Sequence, residues 1–489
     1  MSRFAGLSST VEALAGGRVM VIGDVMLDRF VRGKVGRISP EAPVPVLRNA
    51  QEDVMLGGAG NVVRNITALG GQVVFGGVLG GDAAGVRVSQ LVAADDQVTS
   101  ILQVDNQRRT SEKTRFVADG HHLLRSDWDS ELAVAADVHA ALVTAVAAHV
   151  ADVDVVILSD YGKGVFTPSV LRQLIELARG AGKPVIVDPK SADYSIYRGA
   201  TLVTPNRAEL ALAVGHSPST TDGIVAAAIT LMRDHGIEGM LVTRSEEGMT
   251  LVRGDGTSLN VQAEAKEVFD VSGAGDTVVS VIAAALATGA DIADAVRLAN
   301  VAAGLVVAKV GTAVVTPAEL LHALAEQDDR QNLSKLLGGA ELREQIARWR
   351  RLGLRVGFTN GCFDLIHPGH VQLLAAARAT CDRLIVGLNS DASVRRLKGP
   401  ERPIQDERSR AIVLAAFGSV DAVALFEDDT PLALITEILP DVLIKGADYT
   451  IDQVVGADVV QANGGRVALV ELVPNQSTTG IAKRIRVTG

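Results

Sequence analysis

Short apolar runs alternate with amphipathic segments along most of the chain. RVMVIGD (18–24), VDVVILSD (153–160), KPVIVDP (183–189) and GMLVTRS (239–245) are rich in Val and Ile. Between them, PSVLRQLIELARG (168–180) and IVAAAITLMRDHG (224–236) repeat their apolar positions at helical spacing. Unbroken apolar runs predict strands buried on both faces. Their alternation with helices predicts an α/β fold on a mostly parallel sheet. Ligands of such sheets sit at the carboxyl ends of the strands, so the residues that follow each run are the ones to inspect.

The pattern pauses at LAEQDDRQNLSKLLGGAELRE (324–344), which is polar, charged and closed by Gly338-Gly339. It restarts with LRVGFT, RLIVGLN, VDAVALF, DVLIKG and RVALVEL. The expected organisation is a first domain over 1–325, a linker over 326–339 and a second domain over 340–489. A chain of 489 residues exceeds what one core usually organises, in keeping with two domains. No internal repeat is evident.

Composition narrows the class. Hydrophobic residues make up 47% and charged residues 21%, as in a globular protein. Two cysteines, Cys362 and Cys381, exclude a disulfide framework and fit a reducing cytoplasm. The amino terminus has no apolar segment of the secretory kind, and no run of about 18 apolar residues predicts a membrane span. A net charge of −10 argues against general nucleic-acid binding, though not against a local phosphate site.

Two turns carry candidate chemistry. In VFDVSGAGDTVVSVIAAALAT (268–288), an apolar helix begins near Gly275, and small residues there let backbone amides approach an anion. Asp276 in that first turn could simply complement the helix dipole. There is no G-x-x-x-x-G-K-[ST], and GAGDTV lacks the third glycine of a dinucleotide fingerprint. In TNGCFDLIHPGH (359–370), His367 and His370 stand three apart at a strand-to-helix turn. A helix start, a metal pair and a phosphate site are the three readings. Without H-E-x-x-H or cysteines at zinc spacing, metal is the weakest.

The first half resembles the ribokinase-like sugar kinases. DVSGAGD (270–276) is similar to their carboxy-terminal signature and GGAGNVVRNITALGG (57–71) to their amino-terminal one. GDVMLD (23–28), TPNRAEL (204–210) and VTRSEEGM (242–249) fall in the same order. The resemblance implies Asp276 as general base, with the amides of Gly273, Ala274 and Gly275 stabilising charge on the transferred phosphoryl. It implies that Asn206 and Glu209 organise Mg2+ through water, and that Asp24, Gly58 and Asn61 face the sugar. RGKVGRISPEAPVPVLR (32–48) resembles heptose-7-phosphate kinases in particular. Its prolines 43 and 45 predict an edge strand serving as a lid or dimer-forming flap, so a homodimer is expected. Lys34, Arg37, Arg108, Arg109, Lys113 and Arg115 are candidates for holding the sugar phosphate.

The second half resembles H-x-G-H nucleotidyltransferases. His367 and His370 would then donate hydrogen bonds to the triphosphate of ATP, with Asp364 shaping the nucleotide site. LNSDASVRRLKGPERPI (388–404) supplies Lys398 as a phosphate-binding lysine, and QSTTGIAKRI (476–485) supplies Ser477, Thr478 and Thr479 at a helix start. Cytidylyltransferase relatives carry an arginine just before that motif, where this chain has Asn475-Gln476, a departure that disfavours CTP. The whole chain resembles the bifunctional heptose-7-phosphate kinase/heptose-1-phosphate adenylyltransferases. That implies ATP as substrate of both domains, heptose phosphates as acceptors, and a separate 7-phosphate phosphatase between the two steps. The expected fold is a ribokinase-like domain followed by a smaller Rossmann-like one. The rivals are a kinase and nucleotidyltransferase for another sugar, a nucleotide-binding regulator with inactive sites, and a dinucleotide-dependent oxidoreductase.

Overall fold

A computed structural model describes residues 5–118, 121–130, 132–264, 268–309, 311–333, 335–447 and 449–470. The chain divides into two compact units, with the boundary at Leu324/Ala325.

The first unit is built on a nine-stranded sheet. Its central strands Gln72–Gly76, Arg18–Gly23, Val155–Ser159, Val185–Asp188 and Leu202–Val203 run parallel. Met249–Arg253 and Ser258–Val261 close one edge antiparallel. The apolar run of Arg18–Gly23 splits by alternation between two cores. Val19 and Val21 join one with Val62, Ile66, Val278 and Ile282, while Met20 and Ile22 join the other with Leu142, Leu171 and Leu231. Helices therefore cover both faces, which is what lets an all-apolar strand be buried on each side.

A second sheet of four strands rises beside the first, in the order Pro45–Gly58, Val25–Ile38, Ser111–Ala118, His121–Trp128. Apolar residues at the start of Val25–Ile38 are buried and its far end is exposed. Pro45 opens the edge strand, where its missing N–H leaves no ladder position empty.

In the second unit five parallel strands have the spatial order Ala422–Phe426, Arg383–Asn389, Val356–Gly361, Val442–Gly446, Arg466–Val470. Numbered along the chain this is 3-2-1-4-5, the doubly wound order, with its reversal point beside Val356–Gly361. Leu342, Ile346 and Trp349 of helix Gly339–Arg351 pack on one face, and Leu374 and Ala377 of helix Pro368–Ala379 on the other.

The segment expected to be a linker, 326–339, is largely ordered into elements. Helix Pro317–Leu333 runs through its first half, because Glu, Gln and Arg are good helix formers despite their polarity. Residues 335–337 then pair with the edge strand Ala422–Phe426. Val423 N–H donates to the Lys335 carbonyl at 2.8 Å, and Leu337 N–H to the Val423 carbonyl at 3.0 Å.

Candidate active sites

The two glycine-rich signatures of the first unit meet through their helices. Ala59–Ala68 and Ala274–Ala287 pack side by side: Thr277 Oγ1 donates to Asn65 Oδ1 at 2.9 Å, and Ser280 Oγ to the Val62 carbonyl at 3.1 Å. Gly58, ahead of the first helix, has φ +57°, and an added Cβ would lie 2.5 Å from the Asp24 carbonyl. Gly273, ahead of the second, has φ +79°, and a Cβ would meet Asn61 Nδ2 at 2.8 Å. Both positions require glycine for conformation and for space. A Cβ at Gly275 would meet nothing within 4 Å, so the face of that turn is open to a ligand.

Asp276 sits half-buried at this junction. Asn61 Nδ2 donates to its Oδ2 at 2.6 Å, and the Tyr161 hydroxyl donates to its Oδ1. Burial raises the Asp276 pKa, opposed by these two donors. Asp188 is pushed well up by burial and by the charges of Asp276 and Glu209. The floor of the site is therefore a pool of carboxylates that resist being charged together.

Beside Gly275 opens a cleft of about 460 Å³ lined by Val268, Val271, Val278, Ala303 and Val307, with Asn300 and Ser245 at polar points. An apolar slot next to an open helix N-terminus suits a nucleoside base with its phosphates on the amides. Ser245, Val268, Val271 and Val278 lie in stretches already singled out from the sequence, whereas Asn300, Ala303 and Val307 do not.

Several expected residues have other engagements. Asp24, 1% exposed, accepts from the backbone N–H groups of Tyr161 and Lys163 at 2.9 Å each and of Val165 at 3.1 Å. Its carboxylate holds the 161–165 loop rather than standing open to a sugar. Asn206 and Glu209 form a reciprocal capping box on helix Arg207–Val214, with bonds of 2.9 and 3.0 Å. Among the described residues no three His, Cys, Asp or Glu side chains form a preformed metal cluster. Arg115 pairs with buried Asp28 at 3.0 Å, and Arg109 lies over the Trp128 ring. Arg108 is nearly buried. Its Nη2 donates to the Lys163 carbonyl at 2.5 Å, and its Nη1 has no partner among the described residues. Lys113 acts through its charge on Asp276 and Asp129, and Lys34 and Arg37 have no ion pair among the described residues.

In the second unit the chain leaves strand Val356–Gly361 and turns through Phe363 at φ +45°, a strained value for a residue with a side chain. Pro368 then opens helix Pro368–Ala379, with His367 at its N-cap. The rings of His367 and His370 stack at 3.8 Å, and Phe363 leans on His370 at 5.0 Å. Burial, then the neighbouring His367, pushes His370 down to about 4, and burial lowers His367 as well. Both rings are neutral at pH 7. Their Nδ1 atoms, with Thr359 Oγ1 and Asn360 Oδ1, are buried without a hydrogen-bond partner among the described residues. Such atoms are costly unless a ligand or further chain engages them.

Asp364, 2% exposed, ties down the following loop. It accepts from Ile404 N–H at 2.7 Å and Gln405 N–H at 3.1 Å, and pairs with Arg402. Fully buried Arg410, which sequence reading overlooked, donates to the Cys362 carbonyl and to Asp391 Oδ1, each at 2.6 Å. Lys398 ends helix Asp391–Lys398 and is exposed. Its charge reaches Cys362 and pulls that thiol's pKa down, although burial raises it overall. Ser477, Thr478 and Thr479 lie outside the described residues.

An open helix N-terminus with a half-buried carboxylate in one unit, and paired imidazoles at the switch point of a doubly wound sheet in the other, define a two-activity transferase: a sugar kinase joined to a nucleotidyltransferase. The pfkB family carbohydrate kinase model matches residues 17–319 and the cytidylyltransferase-like model residues 358–481. The chain belongs to the family of the bifunctional proteins HldE. It is 55% identical over 481 residues to the one from Rhodospirillum rubrum, covering 98% of this chain and 97% of that one. With that of Paramagnetospirillum magneticum it is 53% identical over 485 residues, covering 99% of each. The kinase fold is also that of Escherichia coli phosphofructokinase-2, solved with substrates and products. That match has 21% identity and a TM-score of 0.53, and covers 63% of this chain and 98% of that one.

Proposed function

We propose that the first site phosphorylates the anomeric oxygen of D-glycero-D-manno-heptose 7-phosphate and that the second transfers AMP from ATP to heptose 1-phosphate, giving ADP-heptose and pyrophosphate. In the first step the anomeric oxygen attacks the γ-phosphorus of ATP and its proton passes to Asp276. The bond to the bridging oxygen breaks and ADP leaves. The amides at Gly273, Ala274 and Gly275 receive the transferred charge, and the cleft beside them takes the adenine. Asp276 carries this reading: a desolvated carboxylate on an open helix turn is a better base than one in water.

Mg2+ fits this site only as a companion of the nucleotide. Asn206 Oδ1 and Glu209 Oε2 are both committed to the helix cap and Glu209 Oε1 lies 3.6 Å from Lys190 Nζ, while a hydrated cation beside Asp188 and Glu209 would relieve the burial and repulsion that raise the Asp188 pKa. When bound, the cation would screen the phosphates of ATP. Asp188 and Glu209 would hold it through water.

In the second site the anomeric phosphate attacks the α-phosphorus of ATP and pyrophosphate leaves. His367, His370 and Lys398 face the phosphates, and Asp364 fixes the 402–405 loop at the edge of the nucleotide site. The unpartnered imidazole nitrogens support this role. Ser477, Thr478 and Thr479 complete it in our assignment. No phosphatase motif accompanies the two sites, so a separate enzyme removes the 7-phosphate between the steps.

We place the enzyme in the cytoplasm as a homodimer. Both cysteines are free, and no described helix is long and apolar enough to cross a membrane. The exposed side chains of Leu124 and Trp128 on the four-stranded sheet offer an apolar surface for a second copy. Incubation with ATP, Mg2+ and a panel of sugar phosphates, read by mass, tests the assignment. The 7-phosphoheptose should gain one phosphate far faster than hexose phosphates, and equal rates across the panel would reject the substrate.

A further inference from the structure

The loop after strand Val155–Ser159 brings Tyr161 onto the kinase base, a contact that no signature motif announces. We propose that Tyr161 is a positioning residue of the kinase, holding the Asp276 carboxylate as an oriented, ionised base. The inference rests on Asp276 being that base.

Two donors reach the carboxylate from different parts of the fold. Asn61 Nδ2 comes from the first glycine signature and takes Oδ2 at 2.6 Å. The Tyr161 hydroxyl, from the loop after strand Val155–Ser159, takes Oδ1. Together they fix the carboxylate plane and leave each oxygen a second lone pair for the incoming sugar hydroxyl. Tyr161 is itself held firmly. Asp24 accepts from its N–H and from those of Lys163 and Val165, and Arg108 Nη2 donates to the Lys163 carbonyl. Lys163 is further anchored by a salt bridge to Asp129. This gives Asp24 and Arg108 a structural purpose in the site even where neither touches the reacting atoms.

Electrostatics points the same way. The groups acting on Asp276 are its own burial and the charge of Asp28, which raise its pKa, and Asn61, Tyr161 and Lys113, which lower it. Asp188 is a like-charged neighbour of Asp276. Burial and the Asp276 charge push the phenol of Tyr161 well up, so Tyr161 remains a proton donor across the working range. A hydrogen bond from a neutral phenol to the carboxylate favours the charged base. Without it, Asp276 would be protonated at a higher pH.

The test uses the full chain and compares Tyr161→Phe with the unchanged enzyme across pH. Titration of ATP and of the sugar phosphate is common to both and drops out of the difference. The acid limb of the kinase pH–rate profile should move up by about one pH unit, as loss of one hydrogen bond to a charged group implies. Above that limb kcat should fall about tenfold with the sugar KM little changed, since orientation of the base is lost rather than binding. Adenylyl transfer should be unaltered. An acid limb that stays in place in an active Tyr161→Phe enzyme overturns the proposal. Replacement of Tyr161 by 3-fluorotyrosine covers the case in which the phenylalanine variant does not fold. It keeps the hydroxyl and exchanges only a ring hydrogen for fluorine, and its more acidic phenol is a stronger donor, so the limb should move to lower pH. A limb unmoved or raised there also overturns the proposal. Full kinase activity in Asp276→Asn would instead remove the base assignment on which the inference rests.

Discussion

In the first unit the Asp276 carboxylate has a donor on each oxygen before any sugar arrives, supplied by Asn61 and Tyr161. In the second, His367 Nδ1, His370 Nδ1, Thr359 Oγ1 and Asn360 Oδ1 are buried with no partner among the described residues. The contrast follows from the work we propose for each site. A general base must be aimed at one hydroxyl, so its geometry is built into the resting protein. A site that spreads over a triphosphate must keep polar groups free for the ligand, the imidazoles and the Thr359 hydroxyl as donors to its oxygens and Asn360 Oδ1 as an acceptor. Preorganisation in one place takes the form of satisfied hydrogen bonds, and in the other of unsatisfied ones.

The strongest way to break this comparison is at the base. Asp276→Asn keeps size and polarity but removes proton acceptance, and sugar phosphorylation should fall by about 10² to 10⁴. Adenylyl transfer to supplied heptose 1-phosphate, measured as pyrophosphate release, should continue at the normal rate. The mirror experiment removes one free donor. His367→Ala, His370→Ala or Lys398→Ala should each slow pyrophosphate release by about 10² to 10³ and spare the kinase. A variant that lost bound zinc instead would revive the metal reading of the two histidines.

A smaller effect tests whether the units are separate in stability as well as chemistry. Fragments 1–325 and 340–489 should each fold and keep one activity. A fragment starting at residue 335 should be more stable to urea than one starting at 340 by about 1–2 kcal/mol. The longer fragment retains the Lys335 and Leu337 backbone bonds to Val423. Equal midpoints would mean that this pairing contributes nothing.

The smallest expected effect is a pH slope. His370 titrates near 4 in the folded protein against the usual 6.5, so the unfolded chain binds its proton more readily. Its contribution to the stability of the second unit is complete above about pH 6.5 and is lost as pH falls towards 4. Urea unfolding at pH 7 and pH 5 should show that decline, and His370→Gln should flatten it. Bound ATP should also weaken the dependence, because phosphate charge favours the protonated ring.

What could be read from the sequence follows from the same physics. Strands buried on both faces are unbroken apolar runs, so Arg18–Gly23 and Val356–Gly361 were visible, as were the glycine turns and paired histidines that follow strands. Of the four-stranded sheet only the edge strand opened by Pro45 was legible, through its prolines; a strand such as Val25–Ile38, half core and half solvent, has no unbroken apolar run. Tyr161 and Arg410 escaped because their partners stand 115 and 48 or fewer residues away. A lone tyrosine or arginine gives no local signal of such a partner. The position of Tyr161, two residues past the strand Val155–Ser159, was the only available cue. Asn206 and Glu209 show the opposite difficulty: N-x-x-E is at once a family element and an ordinary helix cap, and the cap is what the side chains form.

On our proposal two separate sites act in turn, the first placing a phosphoryl group on the anomeric oxygen and the second placing an adenylyl group on that phosphate. The most direct measurement follows ATP labelled at the γ- or the α-phosphorus into product, using the full chain, heptose 7-phosphate and Mg2+. Before any phosphatase is added, only γ label should enter the sugar, as the 1,7-bisphosphate, with little pyrophosphate released. After a phosphatase specific for the 7-position is added, ADP-heptose should carry both labels, the γ-phosphorus of one ATP and the α-phosphorus of another. Rapid α labelling of the sugar without phosphatase, or an ADP-sugar devoid of γ label, would contradict the account.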